Sequence, residues 1–572
     1  MEDQLLLRLC YKWALKNAYD YDGKAQTGPV ISKVISENRE AKDDIKRLME
    51  VAQRVVEMVN ALPYDEIVNA LTEIDPTLIE RRREEKRDLP PLPGAVEGAV
   101  VTRLPPEPSG FMHIGHAMSG LVNYLYKERY RGELWLRFED TDPRKAKLEY
   151  YENFREGYRW LGIEWDREKN NSDDMEVFYA YCKRLLESGE AYACSCDQPT
   201  MRAMRARGIP CVHRSLDVSL NLEVWDGMLE NRIGEGEATI RFKGDVSSQN
   251  TALRDPVLFR VIESDHPITG DRYRVWPTYD FAVSVEDGIC GVTHVLRTSE
   301  FRLRDELQNE IRRRLGLRNP LFIEYARFEF EGVPVAKREI RDLIERRVIS
   351  GWDDVRLVTV SALKRRGIRP EAIKEFVRRY VAFTEAKKEF SWDLLNAVNR
   401  RVLDPMTPRL FFVPNPVTLV IRNFEVRGIS IPLHPMERLG ERHVQLGERF
   451  YIPGDDASSF EAGTKFRLKY LCNVIVDRIE GPTVYGSCVM EGPEPGIRIV
   501  QWVSEPNIKV RVLIPGPLFL KDGTFNDQSL RVVEGFAEPY VANLREHDTV
   551  QFERFGYCTR DSHENTFILT HE

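Results

Sequence analysis

The chain is 572 residues long, 42% hydrophobic and 30% charged, with a formal net charge of −8. That length gives a prior of roughly four domains at about 150 residues each, and the composition is ordinary for a globular protein. The negative net charge argues against a protein that covers nucleic acid nonspecifically. It leaves room for a specific RNA enzyme, which needs only a local basic face.

Targeting and redox signals predict a reduced, cytoplasmic protein. No apolar run approaches the roughly 18–20 residues of a membrane helix, so no membrane association is expected. The N-terminal segment MEDQLLLRLC has an acidic start and lacks the basic region of a signal peptide. The nine cysteines are scattered without the spacing of a disulfide framework.

The N-terminal part of the chain predicts helices as far as about residue 88. VAQRVVEMVNAL carries apolar residues three and four positions apart, and ERRREEKRD has the charge of a helix end. LPPLPG, from Leu89 to Gly94, cannot continue a helix and is interpreted as a linker.

A parallel α/β unit is predicted after this linker. GAVVTRL is typical of a buried strand and is followed by a Pro/Gly loop and a helix that opens at His113. A second strand, LWLRF, occupies Leu134 to Phe138. Strand, loop, helix and strand in this order begin a parallel sheet.

The remaining chain changes pattern twice. Residues from about 343 to 400 predict helices, and Arg341 to Tyr380 contain eleven Lys/Arg against six Asp/Glu. Such a run is either a solvated helix surface or a face for RNA. Beyond Pro405, short alternating segments such as VTLVIRNF and IKVRVLI are separated by Pro, Gly and Asp turns, which indicates β-barrels or a sandwich.

The string RLPPEPSGFMHIGH, from Arg103 to His116, has the features of an anion-binding loop. Ser109 and Gly110 let the backbone approach a ligand, and His113 and His116 lie on one face of the opening helix. A helix N-terminus favours anions, and imidazoles there can donate to phosphate. Taken by itself, HxGH also fits a capped helix with two incidental histidines.

The longer string resembles the HIGH motif of class I aminoacyl-tRNA synthetases, in the form carried by the glutamyl/glutaminyl group. Other segments resemble the same group in order and spacing; they are RFEDTDP, RYRVWPTYDFAVSVEDGICGVTHVLRTSEF, SGWDDVRLVTVSALKRRG and VQFERFGYCTRD. The resemblance runs from about Val100 to the C-terminus. Residues 1–95 resemble the helical extension of the archaeal branch, so the chain looks like a glutamyl enzyme of archaeal/eukaryotic type.

This resemblance implies a multidomain α/β and β fold with a Rossmann-type parallel-sheet catalytic domain. The implied ranges are 1–95 for the N-terminal helices, 96–193 and 271–342 for the two catalytic halves, 194–270 for an inserted acceptor-end domain, 343–405 for a helical stem-contact region, and 406–572 for antiparallel anticodon-binding β-barrels.

The resemblance also implies a two-step reaction: glutamate is activated with ATP and Mg²⁺, releasing pyrophosphate, and is then transferred to the 3′ end of tRNA, releasing AMP. His113, Gly115 and His116 would hold the triphosphate, with His113 and His116 as catalytic groups. Arg103 and Ser109 would lie at the amino-acid side.

A lysine loop departs from the family pattern, which is MSK followed by Arg or Ser. In GVPVAKREI, Lys337 holds the expected place and Arg338 follows, but Ala336 and Val335 replace the serine and methionine. The charge needed on the pyrophosphate side is retained, so Lys337 is assigned to ATP binding and catalysis. The alternative is a surface lysine.

The amino-acid substrate is predicted from three further positions. By family resemblance, Glu139 in RFED faces the α-amino group and Tyr279 in PTYDF faces the side chain. Glutaminyl enzymes carry cysteine where this chain has Arg297. An unpaired buried cation is costly, so an arginine there favours the carboxylate of glutamate over the amide of glutamine. For Tyr279, core packing is the alternative role.

A zinc site is predicted in ACSCDQPTMRAMRARGIPCVHRS. Cys194, Cys196, Cys211 and His213 form a CxC and CxH pair, and four soft ligands suit a tetrahedral structural zinc. Reduced cysteines without metal are the alternative.

The barrels are expected to bind the anticodon, with Arg409, Gln551 and Arg554 facing its bases by motif match. QFER also fits a strand with solvent-facing polar groups. The implied partners are L-glutamate and tRNA(Glu). Enzymes of this type commonly charge tRNA(Gln) too, with a transient amidotransferase partner; a monomer is expected.

Other functions remain open at this point. A glutaminyl enzyme is opposed by Arg297, and a small-molecule nucleotidyltransferase is opposed by the C-terminal barrels. A tRNA-binding scaffold without activation is supported only by the altered lysine loop.

Overall fold

The computed structural model describes residues 3–20, 23–42, 44–75, 78, 89–326, 328–330, 333, 337–381, 388–390, 392–489, 492 and 496–572. The charged run 80–88 and residues Val335 and Ala336 of the lysine loop lie outside this description. Within it, no helix combines the length and the apolar character that crossing a bilayer requires.

The N-terminal part is helical, as predicted. Its helices are α1 (Asp3–Asp20), α2 (Thr27–Glu37), α3 (Ile45–Asn60) and α4 (Tyr64–Ile74). The Asp44 side chain caps α3 by accepting from the Arg47 amide at 3.2 Å. One face of α3 is apolar at three- and four-residue spacing, and burying it against α1 and α2 forms a core of its own.

The part of the chain after the linker begins with a parallel sheet. Its first elements are β1 (Val101–Leu104), α5 (Ile114–Tyr130), β2 (Glu133–Phe138), α6 (Leu148–Trp160) and β3 (Arg167–Asn170). β2 lies between β1 and β3, and both pairs are parallel. Parallel neighbours need a crossover connection, and α5 and α6 supply the two connections here.

An antiparallel sheet is inserted next. Its region contains α7 (Met175–Glu187), β4 (Ala191–Cys194), α8 (Gln198–Arg207), α9 (Val218–Leu229), β5 (Thr239–Phe242), β6 (Val257–Val261) and β7 (Val275–Pro277). The strands pair in chain order. His266 Nε2 lies 3.1 Å from the Asp140 carbonyl oxygen, which ties this insertion to the segment after β2.

The parallel sheet then resumes with α10 (Tyr279–Ile289), β8 (His294–Thr298), α11 (Arg302–Leu315) and β9 (Leu321–Tyr325). β8 and β9 are parallel, and the Thr293 amide donates to the Val101 carbonyl at 3.0 Å. β8 is thereby placed beside β1, which gives the order β3-β2-β1-β8-β9. The chain reverses its direction of winding at β1, and α/β folds bind ligands at such a switch point.

A helical region connects the sheet to the barrels. Its elements are β10 (Phe328–Phe330), α12 (Lys337–Glu345), α13 (Val360–Arg365), α14 (Pro370–Phe376), β11 (Lys388–Phe390) and α15 (Trp392–Leu403). Part of the basic run belongs to the contact with the C-terminal region. Arg365 forms a bidentate pair with Asp561 at 3.0 Å, and Arg369 donates to Thr549 at 3.2 Å. These two arginines therefore connect the helical region to the C-terminal region.

The C-terminal region is built of β-strands. In chain order its elements are β12 (Arg409–Leu410), β13 (Phe412–Pro414), β14 (Pro416–Arg422), β15 (Gly428–Pro432), β16 (Glu441–Gln445), β17 (Arg449–Pro453), α16 (Gly454–Ala457), β18 (Lys465–Leu468), β19 (Asn473–Glu480), β20 (Thr483–Val489), β21 (Arg498–Val500), β22 (Val503–Ser504), β23 (Ile508–Pro515), β24 (Leu530–Ala537), β25 (Thr549–Phe552), β26 (Gly556–Arg560) and β27 (Thr566–His571).

Both larger sheets of this region close on themselves. One has the order β12-β25-β26-β27-β23-β24-β13, and its edge strands are separated by the single buried residue Phe411. The other has the order β21-β18-β19-β20-β14-β17-β22, and buried Gln501 and Trp502 separate its edges. The prediction of β-barrels is confirmed, with one refinement: β12/β25, β14/β20, β18/β21 and β23/β27 pair in parallel.

Candidate functional sites

A cavity of about 600 Å³ lies at the carboxyl ends of β1 and β8. We call it the sheet cavity. It brings together seven of the residues singled out from the sequence: Arg103, His113, Gly115, His116, Glu139, Tyr279 and Arg297. They come from five different elements or loops, so the sheet assembles them from positions far apart in the chain.

The start of α5 fixes both histidines. His113 is the N-cap, and its Nδ1 accepts from the Gly115 amide at 3.1 Å. His116 Nδ1 accepts from the His113 amide at 3.2 Å, which completes a reciprocal capping box. Because each Nδ1 is an acceptor, the neutral imidazoles carry their protons on Nε2 and act there as hydrogen-bond donors.

Position 115 requires glycine because the His113 ring lies against it. A Cβ at position 115 would lie 2.9 Å from the His113 ring. The segment before α13 supports the helix start from outside, because Ile114 donates to the Val358 carbonyl at 2.8 Å. The motif SGWDDVRLVTVSALKRRG thus meets the HIGH segment in space.

A buried carboxylate that the sequence analysis did not single out organises the floor of the site. Asp287 on α10 accepts from Arg103 Nε at 3.2 Å and from Arg137 Nη1 at 2.8 Å, and Arg312 Nη1 lies 3.8 Å away. Burial raises the pKa of Asp287, but the three guanidinium groups outweigh it and hold the pKa below its ordinary value. Three cations around one carboxylate leave net positive charge where an anionic ligand would lie.

Buried polar atoms next to this cluster also lack partners. Arg103 Nη1 and Arg137 Nε make no hydrogen bond within the described residues. A buried donor left unsatisfied costs about 1–3 kcal/mol. Arg103 lines the sheet cavity, so a ligand oxygen bound there would remove that cost.

Glu139 and Tyr279 face the cavity with opposite hydrogen-bonding character. Glu139 lies 3.3 Å from Arg137 Nη2, and burial raises its pKa above the ordinary value although Arg137 and Arg103 oppose the shift. Burial raises the pKa of Tyr279 to about 12, so this hydroxyl keeps its proton at neutral pH. The cavity therefore offers an acceptor for an ammonium group and a neutral hydroxyl.

Arg297 is placed in the cavity, but it is not the unpaired cation that the sequence argument assumed. Its guanidinium forms an ion pair with Asp305 and donates to Gln308 at 3.0 Å, while Tyr279 lies at 3.4 Å. Its Nε remains buried without a partner among the described residues. A substrate carboxylate would have to share this guanidinium with Asp305.

Two other predicted residues have weaker structural support. Ser109 does not line the sheet cavity, and its hydroxyl donates instead to Glu107, a lining residue, at 2.6 Å. Lys337 begins α12, but the placement of its side chain lies outside the described residues. The assignments of Ser109 and Lys337 stay predictions.

The four predicted metal ligands meet in one cluster. One ligand atom from each of Cys194, Cys196, Cys211 and His213 lies within 4.8 Å of the others. The Sγ atoms of Cys196 and Cys211 are 3.4 Å apart, and His213 Nδ1 lies 3.3 Å from Cys211 Sγ. Ligands about 2.0–2.3 Å from one tetrahedral centre have separations of this size.

The surroundings of this cluster also suit a metal. Ser195 Oγ lies 3.1 Å from His213 Nε2, which orients the ring with Nδ1 toward the thiols. Arg241 Nη1 lies 3.8 Å from Cys194 Sγ. Burial and the neighbouring thiols raise the pKa of Cys196 to about 12, so its thiolate needs a nearby cation to exist at neutral pH.

A second large cavity, of about 840 Å³, lies beside the barrels. We call it the barrel cavity. It is lined by Arg409, Gln551 and Arg554, and Arg409 faces Gln551 across the β12/β25 pair. Arg409 Nε and Gln551 Oε1 are buried without partners in the part of the chain that the structure describes. A donor and an acceptor lying unsatisfied side by side suit the edge of a nucleobase.

Arg554 is more constrained than its neighbours. Its Nη1 and Nη2 bind the two oxygens of Asp456 at 2.8 and 3.2 Å, and Nη1 also donates to the Ile499 carbonyl at 3.1 Å. Its backbone is left-handed, with φ of +60°. A base that contacts Arg554 would therefore accept from guanidinium hydrogens that are not bonded to Asp456, or would replace the Arg554–Asp456 ion pair.

Comparisons with known proteins assign this arrangement to a family. Residues 99–405 match the family of tRNA synthetases class I (E and Q), catalytic domain. Residues 407–491 and 499–561 match the two anti-codon binding domain families of the same group. The chain belongs to the class I tRNA synthetases of the E and Q group.

The relatives of this tRNA synthetase span its whole length. A glutamate–tRNA ligase of Nitrosopumilus maritimus (strain SCM1) is 39% identical, and that of Cenarchaeum symbiosum (strain A) is 40% identical. The glutamate–tRNA ligase of Pyrococcus furiosus is 38% identical. Each alignment covers 98% of this chain and 98% of the relative.

The family matches divide the synthetase along its architecture. The catalytic match contains the sheet cavity and the cysteine cluster, and the two anticodon-binding matches cover the barrels except for the last strand, β27. Helices α1 to α4 precede all three matches. Sequence analysis did not identify Asp287 or the N-terminal residues beside the barrel cavity, because their partners are distant in the chain. Asp305 is eight positions from Arg297, but the two lie on α11 and β8, and no local spacing marks a pair between different elements.

Proposed function

We propose that this tRNA synthetase is an ATP-dependent glutamate–tRNA ligase. The observation that carries the proposal is the sheet cavity, which holds two imidazole donors at a helix N-terminus together with a carboxylate and arginines suited to an amino acid. The full-length relatives named glutamate–tRNA ligase support the choice of substrate.

In the first step, a carboxylate oxygen of glutamate attacks the α-phosphorus of ATP, and the bond to the bridging oxygen of pyrophosphate breaks. The nucleophile is already ionised, so no general base is needed and catalysis consists of alignment and charge stabilisation. In the second step, a hydroxyl of the terminal ribose of tRNA attacks the carbonyl carbon of the adenylate. AMP leaves, and the hydroxyl proton is released.

The start of α5 is proposed to hold the triphosphate. The Nε2–H groups of His113 and His116 donate to phosphate oxygens, and the positive end of the helix adds to this attraction. Mg²⁺, when bound with ATP, neutralises polyphosphate charge. Lys337 is proposed to follow the pyrophosphate as it leaves, because an ammonium group is a point charge on a flexible stem.

The other side of the cavity is proposed to hold glutamate. Glu139 accepts from the α-ammonium group, and Arg103 with the adjacent cation cluster attracts carboxylate oxygens. Ser109 is proposed to act at the same side. Tyr279 donates its proton to the side-chain carboxylate, which also pairs with Arg297. Glutamine would bring an amide to the same guanidinium and would form a weaker interaction.

The cysteine cluster is proposed to hold one structural zinc ion. Cys194, Cys196 and Cys211 would supply thiolates and His213 would supply Nδ1, joining the end of β4 to the loop after α8. All four protein positions would be filled, as in structural sites. The ion would order the insertion that faces the acceptor end of tRNA.

The barrels are proposed to bind the anticodon through Arg409, Gln551 and Arg554. The buried, unsatisfied atoms of Arg409 and Gln551 support this assignment. We also propose that tRNA(Gln) is charged with glutamate, that a tRNA-dependent amidotransferase receives that product, and that the enzyme acts as a monomer. Charging transcripts of tRNA(Gln) with glutamate tests the first of these; strict rejection would define an enzyme specific for tRNA(Glu).

The decisive experiment is ATP–pyrophosphate exchange with tRNA present. We expect exchange with glutamate and little with glutamine, followed by transfer of glutamate to tRNA(Glu). Exchange driven by glutamine would favour the glutaminyl alternative. Binding of tRNA without exchange would leave the scaffold alternative, in which the altered lysine loop no longer supports activation.

A further inference from the structure

The N-terminal helices form part of the wall of the barrel cavity. Tyr19, near the end of α1, and Tyr64, Val68 and Asn69 on α4 line it opposite the barrel residues assigned to the anticodon. A ligand in this cavity would touch the N-terminal helices and the barrels together.

Helix α4 is tied to the strand segment that carries the anticodon residues. Asn69 Oδ1 accepts from Lys469 Nζ at 3.4 Å, and Lys469 forms a buried ion pair with Glu553. Glu66 Oε1 lies 3.9 Å from Arg554 Nη2. These contacts fix the position of α4 relative to Gln551 and Arg554.

The N-terminal wall has the character of a surface for unstacked bases. The rings of Tyr19 and Tyr64 are stacked, with centroids 6.3 Å apart and planes inclined by 10°. Tyr64 keeps 40% of its surface exposed. Arg400 and Arg401 on α15 line the same cavity. Aromatic faces beside guanidinium groups are the combination that binds single-stranded nucleic acid, because bases stack and phosphates pair with cations.

We propose that the N-terminal helices complete the anticodon-loop site, with Tyr64, backed by Tyr19, stacking on an unstacked base while the barrels contact base edges. This inference rests on the proposed tRNA function of the barrel cavity. It assigns a role to the segment that precedes all three family matches. The buried, unsatisfied atoms of Arg409 and Gln551 on the opposite wall independently indicate a polar ligand between the two walls.

A purely structural role for the tyrosines predicts a different result. If Tyr64 only seals the contact between α4 and the barrels, its replacement lowers stability without changing the use of tRNA. Stacking on a base instead raises the KM for tRNA and leaves the KM values for ATP and glutamate unchanged.

The test compares three variants of the full chain in aminoacylation. Tyr64→Ala removes the ring, Tyr64→Phe keeps it, and Ile74→Ala alters a comparably exposed residue of α4 outside the cavity. We expect Tyr64→Ala to raise the KM for tRNA roughly 10- to 100-fold, the scale of losing one stacked base. Tyr64→Phe and Ile74→Ala should stay within about twofold of wild type.

Gln551→Ala, measured in parallel, separates the two proposals. If Gln551→Ala raises the KM for tRNA and Tyr64→Ala does not, the N-terminal wall is excluded and the barrel assignment stands. If neither substitution changes the KM for tRNA, both assignments fall.

Crosslinking of the wild-type protein gives a result that does not depend on the folding of a variant. A tRNA with a photoreactive uridine in its anticodon loop should label the peptide that contains Tyr64. Labelling confined to barrel peptides would overturn the proposal.

Discussion

At the scale of single residues, the sheet cavity depends on how buried charges are distributed. Asp287 binds Arg103 and Arg137, which are 184 and 150 positions away in the chain. Arg297, in contrast, forms an ion pair with Asp305 and a hydrogen bond with Gln308. The first group leaves excess positive charge next to Glu139, and the second holds one guanidinium at the side-chain end of the cavity. The two ends therefore differ in charge, which supports the proposed placement of the two ends of glutamate in this cavity.

Arg297→Cys should lower kcat/KM for glutamate. The lost transition-state stabilisation should be at least ~2 kcal/mol, the scale of a lost charged hydrogen bond. The loss is expected because the substrate carboxylate would then face Asp305 without its counter-ion. ATP–pyrophosphate exchange as a function of glutamate concentration measures the effect. Arg313→Cys is the matched control, because Arg313 is exposed, pairs with Glu310 of its own helix and lies outside the cavity. Unchanged glutamate kinetics in Arg297→Cys would remove the basis for the choice of substrate.

His571 should make the protein sensitive to acid. Burial, together with Arg400, lowers the pKa of His571 from 6.5 to about 3, and both ring nitrogens lack partners within the described structure. The unfolded chain binds a proton below pH 6.5 and the folded chain does not, so stability is lost as the pH falls below that value. The loss is at most about 1.4 kcal/mol for each pH unit between these two pKa values.

His571→Phe keeps the ring contact with Tyr557 and removes the titration. Thermal unfolding of the variant should therefore vary less than wild type between pH 6.5 and pH 4. Parallel curves for the two proteins across that range would contradict this assignment.

At the scale of elements, short-range contacts hold the functional loops in place. The capping box at the start of α5 uses His113 and His116 both to end the loop and to line the cavity. The segment from the end of β4 to residue 215 is joined in the same way by Cys194, Cys196, Cys211 and His213. In both cases the residues proposed to bind a ligand also fix the local backbone.

The purified protein should contain about one zinc ion per chain, as measured by elemental analysis. Cys211→Ser should lose most of this zinc and lower the unfolding temperature, because Cys211 lies closest to the centre of the cluster's contacts. Cys488→Ser, a half-buried cysteine in a barrel strand, should keep it. Zinc affinity should rise with pH, since thiols must lose protons to bind. A zinc-free protein whose fold survives chelation would favour reduced cysteines without metal.

Lys337, at the start of α12, should act in catalysis without the serine that precedes this lysine in the family pattern. Lys337→Ala is expected to reduce the rate of ATP–pyrophosphate exchange far more than it changes tRNA affinity, because the ammonium group stabilises charge on the leaving phosphates. Ala336→Ser, which restores the family residue, should be tolerated. Wild-type activity in Lys337→Ala would support the scaffold alternative.

At the scale of the whole molecule, charged contacts join the catalytic and tRNA-binding parts. Arg365 of α13 binds Asp561 beyond β26, and burial of Asp561 is offset by this arginine, which holds its pKa below the ordinary value. Lys469 and Glu553 make the corresponding contact between the two barrels and α4. These contacts connect the barrels to α4 and to the helical region that supports the start of α5.

Arg365→Met should weaken the contact between the helical region and the barrels. It leaves Asp561, whose side chain is 2% exposed, without its bidentate partner, at a cost of about 2 kcal/mol. Differential scanning calorimetry should show a barrel transition at lower temperature, separated from that of the catalytic part. Arg346→Met, in an exposed i,i+4 pair with Asp342, is the control and should change little. A single unshifted transition in Arg365→Met would contradict this role.

The sequence by itself determined the features that depend on local pattern. Apolar periodicity identified the helices of the N-terminal part and the strands of the barrels, and the motif from Arg103 to His116 located a helix start that lines the sheet cavity. The CxC and CxH pairs located a cluster that the fold does assemble. These predictions succeeded because the interacting groups are close in the chain or belong to a recognisable segment.

Only the tertiary structure decided which groups on different elements become partners. It joined Arg103 and Arg137 through Asp287, and it paired Arg297 with Asp305 where the sequence argument assumed an unpaired cation. It brought Tyr64 of α4 to the same cavity as Gln551, nearly five hundred residues later. The physical reason is that ion pairs and cavity walls depend on how elements pack in space, and residue spacing along one segment carries no information about the opposite partner.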